Sequence, residues 1–428
     1  MSVSTSVGID RFSNLIDPDV GYARGDILGD TGDELARMLN GRALIRDRIV
    51  KHGRDRVYDL TGLPRAFPLS NEDVNNLRSH VTFYAYLDGT AEALAVHHMG
   101  GREVEHEAVI LNRVSAAILA VSTSYLQPGD QFLSVIPRGR SHSSIRRSAA
   151  VAGALFTEVV GTEALRAALQ ERSPRLVTIS ATTPQKFVMA EEDLRATVCL
   201  ANEAGAIVLV DDAHLVTRTI HYGQPKSFEL GPVDLAVCAT DKLMYGPRAG
   251  VLVGKSDYIR NLRGQIYQLG LDAPNSHYAA TARALEQFDS APIRRAGELA
   301  KELLSRLQQY YGAERVYEAG PGIAINEDDA VDIVRARAPQ REVRLVPMEV
   351  SSAICMAMTE SHGIVTTQTI GMPGNAAPVR LTMFPDGERC GINAVEDALD
   401  QAISRVADVL DYPSAAGHII CGHAHTAG

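Results

Sequence analysis

From Val109 to Gly254 the chain repeats one pattern, a short run of apolar residues followed by a longer stretch with helical periodicity. The runs Val109–Leu111, Gln131–Ile136, Leu155–Val160, Leu176–Ser180, Ile207–Val210, Leu235–Cys238 and Gly250–Gly254 read as strands. Segments from Ser115 to Leu126, Ser141 to Gly153, Glu163 to Arg172 and Glu191 to Gly205 read as helices. A strand that is apolar on both faces has no side to offer water, so it must lie between two layers. Strands alternating with helices meet that need by running parallel, with the helices covering both faces. The pattern therefore predicts an α/β fold with a mostly parallel sheet.

At 428 residues the chain exceeds one ordinary core, so more than one domain is expected. Residues 1–65 read as an N-terminal arm with a helix from about Gly32 to His52, and 66–290 as the large domain. A long helical stretch from about Ser276 to Tyr311 leads into a smaller α+β domain over 291–413. It carries strands at Glu342–Val346 and Val379–Met383, a helix at Ala394–Val409, and a loose tail over 414–428. The net charge of −10 argues against a dedicated nucleic-acid or anionic-membrane binder. No apolar run reaches transmembrane length. The five cysteines form no CxxC pair, and the N-terminus lacks a basic segment leading into an apolar one. A cytoplasmic protein is expected.

Two strands deliver polar residues at their carboxyl ends, where open α/β sheets bind ligands. Ile207–Val210 runs into Asp211, Asp212 and His214, and Leu235–Cys238 runs into Thr240, Asp241 and Lys242. An acid, an imidazole and an amine at strand ends are the parts that hold pyridoxal phosphate (PLP) as a Schiff base. Asp211 suits the pyridine nitrogen, which a carboxylate keeps protonated. Asp212 is the better candidate for an ordinary helix cap. Among only six lysines, Lys242 is favoured for the imine because an apolar strand and the turn Gly246-Pro-Arg-Ala-Gly250 flank it, and Lys186 is its rival. Asn112-Arg-Val-Ser-Ala-Ala117 lies between a strand and a helix, where Asn112, Val114, Ser115 and Ala116 suit a phosphate at the helix N-terminus. His142 either stacks on the ring or caps its helix. His214 reaches the phenolic oxygen or a substrate proton, or is a loop histidine. Arg380, on a predicted strand, suits bidentate capture of a carboxylate or is an edge-strand arginine. Cys421, His423 and His425 have metal-like spacing, but one cysteine in a tail makes no metal site, and none is expected.

Together these segments resemble the fold-type I, aspartate aminotransferase-like PLP enzymes. Within them, Asn-x-x-x-Ala-Ala, Pro128-Gly-Asp130 and Asp241-Lys-Leu-Met-Tyr-Gly-Pro-Arg-Ala-Gly250 resemble the bacterial selenocysteine synthase group. The resemblance implies a seven-stranded-type sheet, Lys242 as the Schiff-base lysine, Asp211 at the pyridinium, His142 stacked and His214 near the phenolic oxygen. It also implies a homodimer or larger homo-oligomer with shared active sites. Two departures stand out. Ala239 occupies the position three before the lysine, where Ser or Thr is usual, which passes a phosphate contact to Thr240. The N-terminal segment is acidic (Asp10, Asp17, Asp19, Asp26, Asp30, Asp33, Glu34), the wrong sign for a tRNA-binding arm.

The function expected is a PLP-dependent lyase or transferase that transforms an amino acid or amino-acid-like small molecule at Cα or Cβ, in specialised metabolism. One alternative is an O2-dependent monooxygenase-decarboxylase of an α-amino acid, of the kind used in antibiotic biosynthesis. The other is a non-catalytic PLP-fold binding protein, against which the intact Asp211 and Lys242 weigh.

Overall fold

The computed structural model describes residues 8–374 and 378–422. Their contacts divide into two compact units, one of residues up to Gly62 together with those from Ala291, the other Leu63–Ser290. In chain order the strands are β1 (Tyr58–Asp59), β2 (His106–Leu111), β3 (Gln131–Ile136), β4 (Leu155–Val160), β5 (Leu176–Ser180) and β6 (Ile207–Asp211). They continue as β7 (Leu235–Ala239), β8 (Gly250–Lys255), β9 (Val316–Glu318), β10 (Gly322–Ile325), β11 (Ile364–Val365) and β12 (Val379–Thr382).

In the unit Leu63–Ser290, the strands β2 to β8 form one seven-stranded sheet in the order β2-β8-β7-β6-β5-β3-β4. Neighbours from β4 through β7 are parallel, while β8 runs antiparallel to both β7 and β2. The reversal has a simple cause. Thr240–Ala249, between β7 and β8, is shorter than the dozen or so residues that a helical crossover needs. Each of the seven runs read as a strand is one, with its ends displaced by three residues at most.

One face of this sheet packs Phe132, Leu176, Leu209, Leu235, Val237 and Leu252 against Ala117, Ala120 and Val121 of the helix Val114–Tyr125. Each fully buried Leu, Val or Phe contributes roughly 1.5–3 kcal/mol, and the small residues of the helix let it lie close. Because side chains alternate along a strand, the parity that sends Ile207 and Leu209 into this core sends Asp211 to the same face. Asp211 is in register with Ser180 on β5 and Val237 on β7.

In the other unit, β12-β10-β9 is an antiparallel sheet and β1 pairs with β11. The helix Pro347–His362 is almost wholly buried there. Several expectations are corrected. The segment up to Gly62 is not a separate arm: Glu349 accepts hydrogen bonds from the Ile27 (2.6 Å) and Leu28 (2.9 Å) amides, joining it to the C-terminal residues. Glu342–Val346 forms no strand, since Pro347 opens the next helix and makes this extended stretch its lead-in. The long helix from Ser276 is two, Asn275–Glu286 and Ala291–Tyr311, with Pro292 in the first turn of the second. The tail from 414 begins as the helix Pro413–Cys421, in which Ile420 is fully buried and Asn40 Nδ2 donates to the Ile419 and Ile420 carbonyls. His423 and His425 lie outside the described residues. Among the described residues no helix is long and apolar enough to cross a membrane.

Candidate active site

Asp211 ends β6 with 5% of its surface exposed, and its Oδ1 accepts from the Ala213 amide at 3.2 Å. Burial pushes its carboxyl up to about 6, against the pull of the nearby Lys242 charge and the Ala213 N–H. The acid and the favoured amine are therefore close enough to feel each other. Lys242 is half-buried, and Leu243 after it sits at φ +56°, a left-handed conformation that a branched residue keeps only when its surroundings impose it. Asp212 points elsewhere. It pairs with fully buried Arg218 through Nε (3.1 Å) and Nη2 (2.6 Å) and accepts from the Ser227 hydroxyl at 2.9 Å. Its role is this ion pair, not the helix cap expected. Arg218 lies in a short π-helical turn, Thr217–His221, a form frequent at functional sites.

The Asn112–Ala117 segment also falls where the sequence places it. Arg113 is the N-cap of the helix Val114–Tyr125 but gives no side-chain cap, in contrast to Asp30 and Ser70 at other helix starts. Helix geometry leaves the Val114 and Ser115 amides without intrahelical acceptors. Asn112, Arg113, Ser115, Ala116, Arg248 and His277 line a cavity of about 530 Å³ at this end. Arg248 is lowered to about 10, by burial first and then by repulsion from Arg65 and Arg113, with Asp241 opposing. Arg65 Nε lies 3.2 Å from Asp241 Oδ2. The turn before β8 is tight because its glycines permit it. A Cβ on Gly250 would meet the Arg113 carbonyl and Val114 nitrogen at 2.5–2.6 Å, and one on Gly246 would meet the Thr240 carbonyl oxygen at 2.4 Å. Arg113 and Arg248 sit inside the two segments that the sequence marks by their small residues. Their signal was present, but nothing in one dimension brings them together.

The remaining candidates are placed as follows. His142 caps the helix Ser143–Ala152, its Nδ1 accepting from the Ser144 amide at 3.2 Å, and this fixes its ring. His214 is 8% exposed and touches Lys186, whose Nζ lies 2.6 Å from Nδ1 and 3.1 Å from Nε2. Thr240 is fully buried and its hydroxyl donates to the Pro247 carbonyl at 2.7 Å, so its one proton serves the turn and is not offered to a phosphate. Arg380 is on β12, in the other unit, paired in register with Ala324 and buried, with its guanidinium donating to the Thr367 hydroxyl. Its strand is an edge of the sheet, as the edge-strand alternative had it, but the side chain is buried.

A buried carboxyl in the field of an amine, and a helix N-terminus that no side chain caps with Arg113 and Arg248 lining the cavity at that end, fit PLP. Asp211 would take the ring nitrogen, Lys242 the aldehyde carbon, and the Val114–Ala116 end with Arg248 the phosphate. Ser180 Oγ and Thr182 Oγ1, buried at the end of β5 beside Asp211, have no hydrogen-bond partner among the described residues. They add polar groups that a ligand can satisfy.

The model of the aminotransferase class I and II family matches residues 71–389. A pyridoxal phosphate-dependent protein of the UPF0425 group from Methanothermobacter thermautotrophicus is 33% identical over 401 residues, covering 92% of this chain and all of that protein. Among solved structures, N-succinyldiaminopimelate aminotransferase from Mycobacterium tuberculosis has a TM-score of 0.55 at 19% identity, covering 87% of this chain and 96% of its own. The SepCysS–SepCysE N-terminal domain complex gives 0.55 at 12% identity, covering 83% of this chain and 98% of that chain. The chain belongs to the aminotransferase class I and II family, has the fold of the fold-type I PLP enzymes, and takes pyridoxal phosphate as its cofactor.

Proposed function

We propose that this chain is a lyase or transferase that transforms an amino acid or amino-acid-like small molecule at Cα or Cβ. The observation that carries the reading is Asp211, a carboxyl kept buried at a strand end within the field of Lys242. PLP supplies an electron sink for a carbanion next to the substrate nitrogen. The chain's part is to hold and orient. Lys242 anchors the cofactor, and Asp211 keeps a proton on the ring nitrogen. The Asn112–Ala116 segment, Arg113 and Arg248 hold the phosphate. His142, already fixed by its cap, lies against the ring, and His214 serves the phenolic oxygen or a substrate proton. The acidic residues between Asp10 and Glu34 favour a free small molecule over tRNA. A cytoplasmic homodimer or larger homo-oligomer belongs to the same reading.

The test is to incubate the purified holoenzyme with a panel of amino acids while following cofactor absorbance and dissolved oxygen, then to identify products by mass spectrometry. A spectral response and a product altered at Cα or Cβ without oxygen uptake are expected, and both vanish in Lys242→Ala. Oxygen uptake with loss of CO2 would replace this reading with an oxidative decarboxylation. A protein indifferent to every amine, and to loss of Lys242, would be a binding protein and no enzyme.

A further inference from the structure

Asp241 has no task in the reading above, yet it stands just past β7 beside Lys242 and is buried. Its Oδ2 accepts from Arg65 Nε at 3.2 Å. Arg65 is held in place by its own segment. Its backbone sits at φ +48°, where a side-chain-bearing residue stays only under constraint. Further along, the Phe67 ring stands edge-on to the His277 ring, with centroids 5.0 Å apart. At the far end, fully buried Asp73 accepts from Arg283 Nε and Nη2, both at 3.0 Å, which ties it to the helix Asn275–Glu286. Residues 65–73 thus form a strap moored at both ends. It meets the cavity at His277, which lines it together with Arg113 and Arg248.

Arg248 is half-buried, and its charge is opposed first by burial and then by repulsion from Arg65 and Arg113, while Asp241 acts the other way. Like charges crowded where little water screens them push one another aside unless an anion holds them. Taken as a bare charge, Asp241 would repel an incoming phosphate, and the site would bind more tightly without it. We propose that Asp241 is a positioning residue of the phosphate seat: its carboxylate, moored to the strap through Arg65, holds the guanidinium of Arg248 at the cavity before the cofactor arrives. A seat set in advance spares the phosphate the cost of ordering its donors. That gain outweighs the repulsion which Asp241 itself exerts. The proposal rests on the reading that this cavity receives the phosphate of PLP, and it adds what keeps the seat assembled.

Pyridoxal, which lacks the phosphate, isolates this effect. Full-length protein freed of its cofactor is titrated with PLP and with pyridoxal while cofactor absorbance is followed. The ratio of the two affinities measures what the phosphate contributes. Asp241→Asn should cut that ratio by about tenfold, as when one charge-assisted hydrogen bond to the phosphate weakens. Asp241→Glu, which keeps the charge, should restore most of it. A ratio that rises in Asp241→Asn overturns the proposal, since Asp241 would then act only as a repelling charge. Equal losses for both ligands overturn it too, because a merely structural fault weakens them alike. If Asp241→Asn does not fold, Asp241→Ser carries the same comparison. Arg248→Gln separates the proposal from the reading beneath it. A ratio that collapses in Arg248→Gln but holds in Asp241→Asn overturns the proposal alone. A ratio untouched by Arg248→Gln overturns the phosphate seat and the proposal together.

Discussion

In the protein freed of its cofactor, Asp211 offers a stability measurement with a definite sign. Burial holds its carboxyl at about 6 against an ordinary value of 3.8, with Lys242 and the Ala213 amide resisting. The folded state thus binds this proton more tightly than the unfolded chain. Between the two values folding takes up protons, so this contribution is fully present below the unfolded value and is lost as pH rises through the folded one. About two units of difference correspond to roughly 3 kcal/mol. Asp211→Asn keeps an oxygen for the Ala213 amide but has nothing to titrate. Urea unfolding of cofactor-free wild type and variant between about pH 4 and pH 7 should show Asn gaining on Asp by up to roughly 3 kcal/mol, most of it by about pH 6. Parallel profiles would refute the reasoning, because Asp211 would then be no more buried than an ordinary carboxylate. With PLP bound, a protonated ring nitrogen beside the carboxylate offsets the penalty. The decline should flatten in the wild type, and Asp211→Asn should hold PLP more weakly.

Two further substitutions test neighbouring parts. Arg218→Met leaves Asp212 charged and buried with the Ser227 hydroxyl still donating, and should cost about 3–5 kcal/mol in urea unfolding. Adding Asp212→Asn should recover most of that loss. Gly250→Ala drives a Cβ into the Arg113 and Val114 backbone, which cannot swing aside as a side chain would. It should cost about 1–3 kcal/mol of stability, and a spectral titration should show PLP affinity falling by a larger factor than stability does.

The seven-stranded sheet was legible because a strand buried on both faces has to be apolar throughout, and such runs stand out in any window. Where the signal was weaker the reading failed. Glu342–Val346 alternates as a strand does, but Pro347 turns it into a helix lead-in. Ile419, Ile420 and Cys421 look like a loose end until Asn40, far away in sequence, donates to the Ile419 and Ile420 carbonyls. The hydroxyl of Thr240 looked available for a phosphate because its acceptor, Pro247, becomes a neighbour only when the turn closes.

The sequence by itself determined the alternation of layers, the strand ends at which Asp211 and Lys242 stand, and the small residues that open the helix at Val114. These are properties of short segments, set by the burial of each residue type and by periodicities of two and 3.6 residues. Only the tertiary structure decided which polar residues share a space. It gave Asp212 to Arg218, and it brought Arg65, Arg113 and Asp241 within the field of Arg248. It also brought Lys186, the rival lysine, against His214. Such groupings depend on strand order and on the exact course of the connecting turns. Charges separated by tens of residues acquire a common field only once the sheet has set their distances.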